Sequence, residues 1–170
     1  MFESCFNIRL GDRIEQHKGP DCFKFTKDLY ERFKLMGYER MFKGEEFYMV
    51  AKALKRNKEF NHLEDAFDMC FVSAVNNIIY KIGLTSMEMN PQKLEQIRNH
   101  VIGIIDSAIT QSPEIHETEN AKFFIFDFPN VNIILELGQF KTGIYLTWGG
   151  IDSLNPKVRN LFDRLSDAFA

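Results

Sequence analysis

The stretch "NHLEDAFDMCFVSAVNNIIYKIG", Asn61–Gly83, decides how the rest of the chain is read. Asn61 and Glu64 have the spacing of a helix N-terminal capping pair. Phe67, Cys70, Phe71, Ala74, Val75, Ile78, Ile79 and Ile82 then cover more than one stripe. A helix that is apolar on most sides belongs at the centre of a core. The spacing therefore predicts a buried central helix ending at Gly83.

Working outward, the same periodicity predicts further helices. Cys22, Phe25, Leu29, Phe33 and Met36 recur at three and four residues after Pro20, a helix from about Asp21 to Gly37. Phe47, Val50, Ala51 and Leu54 follow Glu45 and Glu46, whose charges suit a helix N-terminus. Asn90 with Pro91 is a strong start signal, and Leu94, Ile97, Val101, Ile104 and Ala108 supply an inner stripe. Asn155-Pro156 repeats that signal before Val158, Leu161, Phe162, Leu165 and Phe169.

Two stretches read as strands. At the N-terminus Phe2, Phe6, Ile8 and Leu10 alternate with Glu3, Asn7 and Arg9. Between Ala121 and Gly150 three alternating runs are parted by Pro129-Asn130 and Gly138-Gln139, an antiparallel meander over 121–149. One face of that meander is wholly apolar. The other mixes Asp127, Asn132, Glu136 and Thr147 with Phe123, Ile125, Ile134 and Tyr145. It is too apolar to be simply solvated, so either a helix covers it or it recognises a partner. The polar run "SPEIHETEN", Ser112–Asn120, is read as a surface loop.

The expected architecture is therefore α+β: about five helices packed on a three- to four-stranded antiparallel sheet, with strand 2–10 added at an edge, in a single domain over 1–170. Composition agrees with a globular chain, at 45% hydrophobic and 26% charged residues. Phe is over-represented, with 17 copies against one Trp. A formal net charge of −3 argues against a role that grips nucleic-acid backbones. The three cysteines, Cys5, Cys22 and Cys70, match no zinc or redox spacing. Met1–Leu10 lacks the basic start and apolar run of a secretory leader, and no stretch has the length of a membrane span. A cytoplasmic protein with reduced thiols is expected.

Searches for phosphate-binding loops, dinucleotide fingerprints, zinc-protease helices and nucleophile elbows find none. "RNKEFNH", Arg56–His62, resembles the R-N-x(4–6)-H type signature of the HEPN-family ribonucleases. That resemblance implies RNA cleavage, with the Arg56 guanidinium stabilising phosphoryl charge and the His62 imidazole moving a proton. The leading expectation is different: a non-catalytic binding or inhibitory protein, of the small acidic kind found among immunity, anti-defence and accessory factors. It needs no cofactor and no metal. Its partner is another protein, nucleic acid being disfavoured by charge, and a homodimer is left open. The candidate contacts are Glu114, Glu117 and Glu119 in the acidic loop and Asp127 and Glu136 on the second sheet face, where carboxylates can steer a basic partner.

Overall fold

A computed structural model describes residues 8–19, 22–24, 45–50, 66–129 and 132–150. The elements are β1 (Cys22–Lys24), β2 (Glu45–Val50), β3 (Met69–Val75), β4 (Ile78–Met87), α1 (Pro91–Ala108), β5 (Glu114–Glu117), β6 (Ala121–Phe128), β7 (Ile133–Phe140) and β8 (Gly143–Gly149). All eight strands form one antiparallel sheet in the order β1-β2-β3-β4-β8-β7-β6-β5. Two four-stranded meanders are thus joined at the β4–β8 seam. β4 is the inner edge of the first meander and β5 the outer edge of the second. The chain must cross the sheet between them, and α1 makes that crossing over one face.

This overturns the expected α+β arrangement of five helices on a small sheet: among the described residues the molecule is mostly strand, with one α-helix. The decisive correction falls on Asn61–Gly83. From Met69 onward this stretch is a β-hairpin, β3 turning into β4. Val75 and Ile78 are paired, and the two residues between them, Asn76 and Asn77, have φ of 50° and 66°. Positive φ at both central positions is the type I′ turn whose twist matches paired strands. Asparagine tolerates that region better than any other non-glycine residue. The run looks apolar on every side because β3 and β4 sit in the middle of a sheet, where both faces carry apolar residues.

Other expected helices meet the same fate. Glu45–Val50 is a strand, with Tyr48 buried on one face and Phe47 and Met49 on the other. Cys22–Lys24, expected to open the first helix, is the edge strand β1. Glu114–Glu117, expected as loop, is the opposite edge strand β5. Of the expected N-terminal strand, residues 8–10 are described and belong to no strand, although Ile8 and Leu10 are buried. Residues 2–7, most of the first two expected helices, Asn61 and Glu64 with their proposed cap, and the expected C-terminal helix lie outside the described residues.

The helix at 91–108 and the three strands of the meander at 121–149 are present, but Gly138-Gln139, expected as a break, is paired inside β7, and the turn to β8 falls at Lys141-Thr142. The Asn90 side chain accepts from the backbone N–H groups of Gln92 at 3.0 Å and Lys93 at 3.2 Å, and Pro91 fills the first turn. Leu94, Ile97, Val101 and Ile105 are its buried stripe; Ile105 takes the place expected for Ile104. They meet the apolar sheet face formed by residues such as Leu84, Phe126, Leu135 and Leu146. Ile8, Leu10 and Ile14 close that core at the hairpin end, where the Ile14 N–H donates to Asn77 O and the Gly11 N–H to Ile79 O. Full burial of each large aliphatic side chain stabilises by about 1.5–3 kcal/mol. Among the described residues no helix is long and apolar enough to cross a membrane.

The hairpin reading has a direct consequence. Asn77→Val places a β-branched side chain in the left-handed region and is expected to destabilise by about 1–2 kcal/mol, whereas Asn77→Gly should be neutral or stabilising. A helix through this segment would give the reverse order for Val and Gly. Urea unfolding midpoints of the two variants decide it.

Candidate binding face

Strand alternation sends Leu84, Ile82, Leu146 and Trp148 to the helix-covered side. It sends Lys81, Gly83, Thr85 and Met87 of β4, and Gly143, Tyr145 and Thr147 of β8, to the other. This second face remains half-exposed. Cross-strand pairing sets its rows: Phe71, Gly83, Thr147, Glu136, Ile125 and Glu114 lie along one line across the sheet. Thr85, Tyr145, Gly138, Phe123 and His116 lie along the next.

Two aromatic banks rise from it. Phe47 and Phe71 stack with centroids 5.3 Å apart and planes at 11°. On the far side of the seam Phe140 meets Phe123 edge-on at 5.9 Å and tilts over Tyr145 at 5.7 Å. Such pairs add about 0.5–1.5 kcal/mol each beyond the area they bury. Between the banks the floor is low, because Gly83, Thr85 and Thr147 are small. The result is a trough of about 370 Å³ along the β4–β8 seam.

Tyr145 fixes the second bank. Its ring lies across Gly138, its cross-strand partner, where any Cβ would collide with the ring carbons. Its hydroxyl donates to a Glu136 carboxylate oxygen. Burial, and then that carboxylate, push the phenol well above its ordinary value of 10.0. On the covered side the Tyr48 phenol is likewise raised, first by burial and then by Glu46. The Glu46 carboxyl is held low, chiefly because Lys24 at 2.5 Å and the Tyr48 hydroxyl at 2.5 Å both donate to it.

The five acids singled out from sequence do not form one site. Glu114, Asp127 and Glu136 share the exposed face with Phe123 and Ile125. Glu117 points to the opposite side, where Lys122 lies 3.6 Å from it. Glu119 stands exposed in the turn between β5 and β6. Glu114 is paired with His116 at 2.9 Å, and strand alternation separates that pair from Glu117. Among the described residues no group of three or more His, Cys, Asp or Glu side chains could hold a metal ion. Arg56 and His62 lie outside the described residues.

Sequence reasoning found Tyr145, Thr147 and Glu136 on this face but missed Phe47, Phe71, Gly83 and Thr85. Reading Lys81-Ile82-Gly83-Leu84-Thr85 as alternating strand would have exposed the small-residue line. A second cleft of about 490 Å³ lies between α1 and the β5–β7 end. Of the three cations that line it, Arg98 is committed to Gln139 at 2.9 Å and Glu95 at 3.2 Å, and Lys122 lies 3.6 Å from Glu117. Comparison with protein-family models, with curated proteins and with solved structures finds no match.

The raised phenol makes alkaline stability a probe of the face. The unfolded chain loses this proton near pH 10.0, the ordinary value, while the folded chain holds it to higher pH. The contribution is therefore full below that pH and is lost as pH climbs through and past it. Tyr145→Phe is expected to cost about 1 kcal/mol at neutral pH and to make the alkaline loss shallower. Tyr48, which titrates in the same direction, keeps some slope. Urea midpoints of both proteins at neutral pH and above pH 10.0 measure the difference.

Proposed function

We propose that the protein is a non-catalytic binding protein that docks another protein on the half-exposed sheet face. The observation that carries this reading is the pair of aromatic banks on a face that no described element covers. Protein interfaces are enriched in aromatic residues and Met at their centres, with a polar rim. Here Phe47, Phe71, Phe140 and Tyr145 form the centre; Met87 is 63% exposed beside Phe140, and Ile134 is 49% exposed farther along β7 on the same face. Glu114, Asp127 and Glu136 supply a rim that favours a partner with basic side chains and opposes nucleic acid. The acidic chain as a whole, at −3, acts in the same sense. An inhibitor, immunity or accessory factor is the kind of protein this describes. A cytoplasmic setting is part of the proposal and is supported by the free thiols of Cys22 and Cys70.

A photoreactive residue at Ile134, introduced in the native host, should trap one protein, which is then purified and titrated against the chain. Ile134→Arg and Phe140→Ala are expected to weaken that complex tenfold or more, about 1.4 kcal/mol. Glu117→Lys, on the other side of the sheet, should leave it unchanged. Equal affinity for all three variants defeats the proposal. Capture of the chain by itself, with a dimer that Ile134→Arg dissociates, would reassign the face to self-association.

A further inference from the structure

The trough between the aromatic banks has a direction. Lys81 stands at one end beside Ser73, its cross-strand partner, and Met87 at the other beside Gly143 and Phe140. Between them β4 advances about 20 Å. Gly83, Thr85 and Thr147 floor that length. Among the described residues Lys81 makes no ion pair, and Ser73 beside it is only 5% exposed. A long, mostly apolar trough whose one charged lining residue, Lys81, stands at a single end has the polarity of a linear amphiphile. Its volume of about 370 Å³ falls at the small-ligand end of natural sites.

The geometry points to a binding site for a medium-chain aliphatic carboxylate, its head at Lys81 and Ser73 and its tail running over Gly83 and Thr85 to Met87. The carboxylate gains the Lys81 ammonium and the Ser73 hydroxyl. The methylenes replace water over the glycine and threonine methyl surface between the ring faces. A cationic amphiphile of the same length meets Lys81 with like charge. This site stands whether or not a protein docks on the same face, and its test uses the free chain.

The experiment is isothermal titration of the full chain with hexanoate, octanoate and decanoate below their micelle concentrations, alongside decanol and decyltrimethylammonium. Saturable one-to-one binding is expected, tightening roughly fourfold per added methylene until the trough is full. The ammonium should bind more weakly than the carboxylate. Lys81→Met is expected to weaken decanoate about fivefold while leaving decanol unchanged, and Thr85→Trp should abolish both. Because a tryptophan there could disturb the sheet, nuclear Overhauser contacts in the unaltered protein give an independent reading. The decanoate α-methylene should touch Lys81 and its later methylenes Gly83 and Thr85, with no contact from the α-methylene to Met87. Non-saturable uptake, equal affinity for carboxylate and ammonium, or a reversed orientation overturns the assignment.

Discussion

The molecule depends on the pairing of β4 with β8. Every other pairing in the sheet joins strands that follow one another along the chain, and β3–β4, β5–β6, β6–β7 and β7–β8 are linked by only a few residues each. β4 and β8 are separated by α1 and three strands, and only their pairing, from Lys81↔Gly149 to Met87↔Gly143, turns two meanders into one sheet. Glycine stands at both ends of that seam. At Gly143 a Cβ would overlap the Ser86 carbonyl oxygen, and at Gly149, where φ is 153°, it would overlap that of Tyr80. The two backbones approach too closely there for any side chain. A long-range pairing costs loop-closure entropy before it returns any contact. The α1 stripe offsets that cost by spreading apolar surface over the sheet it crosses.

What could be read along the chain was what local chemistry settles. Asn90-Pro91 caps a helix by a mechanism that needs no tertiary partner. Pro129 closes β6 by turn chemistry of the same kind, but Gly138-Gln139, which looks like a second break, lies inside β7 because its glycine makes room for the Tyr145 ring. The division of the meander into an apolar and a mixed face follows from alternation alone. What could not be read depended on neighbours far away in sequence. β3 and β4 carry apolar residues on both faces because β2 and β8 flank them, and that density imitates the all-round apolarity of a buried helix. Asn76-Asn77 was the one local signal against a helix, and it is weaker than an Asn-Gly pair. β2 and β5 are short, and their identity as strands comes from the partners they hydrogen-bond.

The acidic run around Glu114–Glu119 is now better understood as part of the sheet's edge. β5 is a short edge strand, exposed along its whole length, carrying Glu114, His116 and Glu117. Charged, brief edges resist pairing with a second sheet. The Glu114–His116 and Glu117–Lys122 pairs are exposed, and each contributes little to stability. Their value lies in keeping the edge solvated. On the proposed reading, the rings on the face beside them form the centre of recognition and Glu114 only part of its rim.

Those rings are not loosely displayed. Tyr145 lies flat because Gly138 leaves room beneath it, and its hydroxyl is held by Glu136 on the neighbouring strand. Phe140 leans on Tyr145 and on Phe123; across the seam Phe47 and Phe71 hold each other. Each ring therefore has a partner before any ligand arrives, and little rotamer freedom remains to be lost on binding. Rigidity of this kind lowers the entropic cost of association without adding a contact. It also explains how so much aromatic surface can stay half-exposed in a folded chain. The rings bury one another along the edges of the trough, and only the narrow floor between them, built from Gly83, Thr85 and Thr147, is left for something else to fill.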